Sequence, residues 1–160
     1  GVAAAGRACG VGDAVGAGGG ARGGEDGLVS PATGMKRGDE GFHYHRPGAG
    51  SGTAIVADAA PEGVAVVGAF HNLAAARLAN LDADLGVDTL VIGDDEDAKE
   101  TVTDVAEGIE GLRALDAGGI ANAPEIEGLT PLLIHVASNN HGLHDLGVRF
   151  QYKPVLCGIA

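Results

Sequence analysis

The chain has 160 residues and a mass of 15.7 kDa, room for roughly one domain. Ten basic against 22 acidic residues give a net charge of −12 and a pI of about 4.6, a surface that repels phosphate backbones and anionic headgroups; nucleic acid and membrane surfaces are not expected partners. Cys9 and Cys157 stand at opposite ends with no CxxC pair, which offers neither a disulfide framework nor a zinc knuckle and fits a reducing cytoplasmic setting, and no apolar stretch approaches the ~20 residues of a membrane-spanning helix.

The first 27 residues hold 11 of the 29 glycines and no bulky apolar residues beyond Val2, Val11 and Val15. Such a stretch buries too little to offset the entropy of ordering it. Residues 1–27 therefore read as disordered, loosely attached or out-of-frame sequence. From Leu28 the pattern alternates between apolar and amphipathic segments, which predicts βα units and a mostly parallel sheet. Ser51 is placed to cap a helix through about Ala59, ahead of Pro61, and Val64 to Val67 reads as a buried strand ending at Gly68. Ala74 to Leu81 suits a short helix. Thr89 to Ile92 is a second buried strand, and the acids Asp94 to Asp97 open a helix that runs to about Ile109. Ala98, Val102, Val105, Ala106 and Ile109 give that helix one apolar face. Arg113 to Asp116 is a short third strand. Glu125 to Val136 or beyond is apolar nearly all round despite Pro131, so it is expected as one buried helix, or as part of a dimer interface.

Two glycine runs, Gly10 to Val15 and Gly16 to Ala21, approach a dinucleotide fingerprint, but neither follows a legible strand or opens a helix, so both are rejected as phosphate loops. His43 and His45 would share one strand face, and His141 and His144 lie three apart; without three or four converging ligands they read as surface or hydrogen-bonded histidines, and no metal ligand is assigned. The run Asp94 to Asp97 lacks the spacing of a calcium loop, so helix capping is preferred. His71 differs from the other histidines because it follows a strand directly, at the sheet edge where parallel sheets bind ligands. Position alone leaves it open between a site residue and a satisfied loop histidine.

An ordered series of segments then carries a resemblance: Ser30-Pro31-Ala32-Thr33-Gly34-Met35-Lys36, Gly68-Ala69-Phe70-His71-Asn72-Leu73-Ala74-Ala75, Val91-Ile92-Gly93-Asp94-Asp95, Ile109-Glu110-Gly111-Leu112-Arg113, Leu115-Asp116-Ala117-Gly118, Ala121-Asn122-Ala123 and Glu127-Gly128-Leu129-Thr130-Pro131-Leu132-Leu133. In this order they resemble the later part of the NADPH-dependent reductases of the deazaflavin coenzyme F420, over about Leu28 to Phe150. The acidic, lysine-poor style is similar to haloarchaeal members. The resemblance implies hydride transfer between NADP and coenzyme F420, with the cofactors making the bond changes, so no catalytic side chain is assigned. It implies that His71 and Leu73, with Asn72 between them, line the deazaflavin pocket, that Pro31 is a lesser pocket residue, and that the segment ending near Leu146-Gly147-Val148 approaches the deazaflavin across a dimer. Departures are Gly119 where Pro is usual, His135 where Asn is usual and Gly52 where a larger residue is usual, which are expected to loosen the last helix and its entry. Nothing in residues 1–27 matches the glycine loop that grips NADP in the family.

The expectation is thus an α/β fold: a partial Rossmann-type parallel sheet over residues 28–118, the C-terminal half of such a domain, then a small helical region over 119–150 and a tail over 151–160. The chain is expected to self-associate, because half a sheet leaves an open strand edge and an uncovered apolar face. The alternatives are a non-catalytic cofactor-binding or self-associating fragment of such a reductase, and a histidine-dependent metal-binding module.

Overall fold

The computed structural model describes residues 2–4, 27–80, 82 and 84–152; Cys9, Cys157 and both glycine runs lie outside them. Five strands form one sheet in the order β1 (Val2–Ala4), β2 (Gly27–Ser30), β5 (Ala65–Gly68), β6 (Val87–Gly93) and β7 (Leu112–Asp116). A hairpin of β3 (Met35–Gly38) and β4 (Gly41–Tyr44) stands apart from it. The helices are α1 (Gly52–Ala59), α2 (Ala75–Leu78), α3 (Glu96–Glu107), α4 (Ala123–Glu127) and α5 (Leu129–Asn139), with a 3-10 turn at Ile120–Asn122.

Three features of the fold were not read from the sequence. A strand lies in the glycine-rich opening: Val2–Ala4 pairs in parallel with β2, Val2 opposite Gly27 and Ala4 opposite Val29. The ladder is made of backbone amides and carbonyls, and so does not need the bulky side chains whose scarcity argued against a strand. Second, the sheet is mostly parallel, as expected, but one pair is antiparallel. β1, β2 and β5 run parallel, as do β6 and β7, but β6 is antiparallel to β5, with Val67 opposite Gly93 and Gly68 opposite Ile92. A parallel return needs a crossover as long as the sheet is deep. Helix α2 has one turn only, so the chain re-enters the sheet at the end where β5 stops. Third, the long apolar helix is two, divided at Gly128. Pro131 falls in the first turn of α5, where its missing N–H has no helical partner to lose. Far from being buried all round, α5 leaves Leu132 55% and Val136 38% exposed.

Other local signals act as read. The Ser51 hydroxyl accepts from the Ala54 amide at the start of α1, and Asp95 caps α3 by accepting from the Ala98 amide at 2.8 Å. Asp94 accepts from the Ile120 amide at the start of the 3-10 turn, and Glu96 pairs with Lys99.

Side chains alternate across the sheet and create two different layers. On one face Val67 and Val91 pack with Val102 and Ala106 of α3 and with Leu112 and Ala114 of β7. On the other, Ile92 meets Ala123 and Ile126 of α4, a smaller apolar patch. Two of the departures, Gly52 and His135, make close contacts here. A Cβ on Gly52 would stand 3.0 Å from the Ala32 carbonyl oxygen, so α1 sits closer to that loop than a larger residue permits. His135 Nε2 donates to the Phe42 carbonyl at 2.7 Å and ties α5 to β4.

Candidate functional site

β2 and β5 are in register at Ser30 and Gly68, so both strands release their chains at one sheet edge, beside the start of the antiparallel β6. Phe70 follows at φ 66, a left-handed conformation costly for a bulky residue, of order 1–3 kcal/mol. Its amide is held by the Thr89 hydroxyl at 3.0 Å, and its carbonyl accepts from the Leu73 amide. This turn sends His71 and Asn72 inward, where they are 4% and 2% exposed. Gly68 makes room for the imidazole: a Cβ there would lie 3.0 Å from His71 Cε1 and 2.7 Å from Ile92 Cγ1.

Beneath His71 lies a buried carboxylate. Glu127, at the end of α4, is 0% exposed and accepts from the amides of Gly34 at 3.2 Å, Gly52 at 2.9 Å and Thr53 at 2.9 Å, and from the Thr53 hydroxyl at 3.1 Å. It closes the amino end of α1 from 75 positions along the chain, where the helix dipole favours an anion. The Thr53 oxygen also lies 3.2 Å from His71 Nε2. A hydroxyl has one proton. Since that proton goes to the carboxylate, Nε2 donates to Thr53 and His71 Nδ1 is a bare acceptor. Burial holds the His71 pKa below its usual 6.5 although the charge of Glu127 pulls the other way, which keeps the ring neutral at pH 7. Tyr44 borders the same carboxylate; burial first, and the Glu127 charge second, push its phenol up to about 12.

His71 and Asn72 are each half satisfied. Asn72 donates from Nδ2 to the Asp88 carbonyl at 2.7 Å, and the His71 carbonyl accepts from the Thr130 hydroxyl at 2.6 Å. Among the described residues, His71 Nδ1 and Asn72 Oδ1 are buried without a hydrogen-bond partner, a costly state for two acceptors. Both residues line a cleft of about 310 Å³ whose other walls include Leu73, Leu133, Ile134 and Leu146. His71, Asn72 and Leu73 thus line one cleft. Pro31 is half-buried after β2 and is not among the residues lining the cleft. Leu146 reaches the cleft within the same chain, because Asp88 pins the segment that follows it. The Asp88 amide donates to the Val148 carbonyl at 2.7 Å, and the Asp88 carboxylate accepts from the Phe150 amide and, twice, from Arg113. Burial raises the Asp88 pKa, but the Arg113 and Phe150 hydrogen bonds and the Arg113 charge outweigh it and leave the carboxyl below its usual range.

No group of three or more histidine, cysteine, aspartate or glutamate side chains that could hold a metal occurs among the described residues. His43 packs at 5.2 Å against His135, and His144 pairs with Asp145. No described helix is long and apolar enough to cross a membrane. Sequence reading passed over Glu127, Thr53 and Thr130. Glu127 had one usable signal, an acid amid the apolar residues Ile126, Leu129, Leu132 and Leu133.

No protein-family model matches the chain. It is 37% identical over 93 residues to the F420-dependent NADP reductase of Methanothermobacter marburgensis, a match covering 58% of this chain and 41% of the relative. To the F420-dependent NADP reductase of Methanocaldococcus jannaschii it is 41% identical over 94 residues, 59% of this chain and 37% of the relative. The fold is similar to a crystal structure provisionally described as an F420-dependent NADP-reductase from Arthrobacter sp. FB24, with a TM-score of 0.68 at 18% identity, over 79% of this chain and 58% of that one. The chain spans about two fifths of the length of the curated relatives it matches, and over that span it is similar to F420-dependent NADP reductases.

Proposed function

We propose that this chain carries the deazaflavin-binding part of an oxidoreductase that transfers a hydride between NADP(H) and coenzyme F420. The observation that carries the reading is the pair of buried acceptors without a partner among the described residues, His71 Nδ1 and Asn72 Oδ1, on residues that line a cleft with both apolar walls and the polar side chains of Thr130, Ser138, His144 and Asp145. A flat heterocycle with an N–H donor on its edge fits such a site, with Leu73, Leu133, Ile134 and Leu146 as apolar walls. Bound there, the deazaflavin supplies the hydride-carrying carbon. The chain's own residues orient the ring and exclude water; His71, neutral, accepts a hydrogen bond and transfers no proton.

The described residues do not fit the pyrophosphate of NADP equally well. The amides opening α1 are taken by Glu127 and those opening α3 by Asp95, so a phosphate would meet a carboxylate at either helix start. This favours, as a second reading, a chain that binds deazaflavin without turning it over. Mixing the chain with F420 and NADPH and following F420 fluorescence separates the two. Decay to the reduced coenzyme supports the enzyme, saturable binding without decay supports the second reading, and no binding removes both.

Finer readings belong to the same proposal. The net charge of −12 supports a salt-adapted, haloarchaeal-type cytoplasmic protein, tested by whether molar KCl raises its Tm. The exposed Leu132 and Val136 of α5 support a homo-oligomer, tested by sedimentation of wild type and Leu132→Ser.

A further inference from the structure

Glu127 is not among the residues lining the cleft and bonds His71 only through Thr53, yet its hydrogen bonds decide what His71 presents there. The carboxylate is saturated with donors: three backbone amides and the Thr53 hydroxyl. None of the three amides can be turned away without moving the start of α1 or the loop at Gly34. The acceptor at Oε1 therefore commands the Thr53 proton, and the Thr53 oxygen is left to accept from His71 Nε2. On the neighbouring residue, the Asp88 carbonyl commands Asn72 Nδ2 and turns Oδ1 outward from that bond. Two independent backbone-anchored constraints thus leave acceptors on adjacent residues, both buried and both without a partner among the described residues.

We propose that Glu127 is a positioning residue which, through Thr53, fixes His71 as the Nε2–H tautomer, so that Nδ1 and Asn72 Oδ1 form a paired acceptor site selecting ligands that carry a hydrogen-bond donor on a planar edge. The inference deepens the functional reading and rests on it only for the identity of the ligand. In the deazaflavin, the matching donor is the lactam N–H of the pyrimidine ring. Methylation of that nitrogen removes the donor and keeps the ring, so a donor-selective site rejects the methylated compound, whereas a merely apolar slot does not.

The test has a ligand-free arm and a binding arm. In the first, the ring nitrogens of His71 are followed by long-range nitrogen–proton NMR in the 160-residue chain and in Thr53→Ser, Thr53→Val and Glu127→Gln. A single Nε2–H tautomer in wild type and in the Ser variant, giving way to a mixture in the Val variant, supports the relay. A proton on Nδ1 in wild type, or an unchanged single tautomer in Thr53→Val, overturns it. Glu127→Gln can hydrogen-bond Thr53 from its amide nitrogen, and a shift of the proton toward Nδ1 in that variant supports the relay independently. Should Glu127→Gln not fold, the Thr53 pair decides.

In the second arm, 5-deazariboflavin and its lactam N-methyl derivative are titrated into wild type, Thr53→Ser and Thr53→Val. One lost hydrogen bond to a buried acceptor predicts about tenfold weaker binding of the methylated probe to wild type and to the Ser variant. That ratio should shrink in the Val variant, where Asn72 Oδ1 alone remains a fixed acceptor; equal binding of both probes to wild type overturns donor selection. If neither probe binds while the tautomer pattern stands, the deazaflavin reading fails and the relay does not.

Discussion

The two faces of the sheet are held together by different physics. Where α3 packs, Val67, Val91, Val102, Ala106 and Leu112 exclude water from one another, and the attraction depends on area and fit more than on direction. Where α1 and α4 pack, the apolar patch shrinks to Ile92, Ala123 and Ile126, and Glu127 takes over with four directed hydrogen bonds. The difference teaches where a site can be built. An apolar interface tolerates small slips between neighbours; a carboxylate shared by a loop, a helix start and a hydroxyl does not, and it fixes the ring of His71 as a consequence.

The largest expected effect tests the directed face. Glu127→Ala leaves three amides and a hydroxyl without their anion and should cost about 3 kcal/mol or more in urea unfolding. On the apolar face, Val91→Ala removes two methyl groups from a fully buried side chain and should cost about 2 kcal/mol, without changing the tautomer of His71. A larger loss for Val91→Ala than for Glu127→Ala would reverse the contrast. Thr89→Val keeps the shape of the side chain but deprives the Phe70 amide of its acceptor at a left-handed turn; about 1–2 kcal/mol and a faster amide exchange at Phe70 are expected.

The smallest effect is set by pH. His71 has its pKa lowered by burial, so between 6.5 and its lower folded value the unfolded chain takes up a proton that the folded chain refuses. Its contribution to stability is therefore complete above 6.5 and declines as the pH falls through that window. Urea midpoints at stepped pH for wild type and His71→Gln should diverge below 6.5, the variant being less pH-sensitive.

Much of the fold was legible because it rests on local rules. Ser51 and Asp95 act as caps, and the β-branched runs around Val66 and Val91 form strands. The orientation of β6 was not legible, since it follows from how short α2 is and from the left-handed turn at Phe70, where a bulky aromatic gives no warning. The strand Val2–Ala4 was missed because its pairing is a property of backbone and neighbour. Likewise α5 reads as a buried helix from its apolar residues alone, yet burial depends on what packs against it, and Leu132 faces outward.

By itself the sequence determined the acidity, the caps and the strand-forming runs, because each is a property of composition or of near neighbours along the chain; it was the resemblance that pointed to His71, Asn72 and Leu73. Only the tertiary structure decided which proton His71 keeps. Glu127 lies 74 positions from Thr53, and no spacing rule connects residues that meet only when α4 folds against the start of α1.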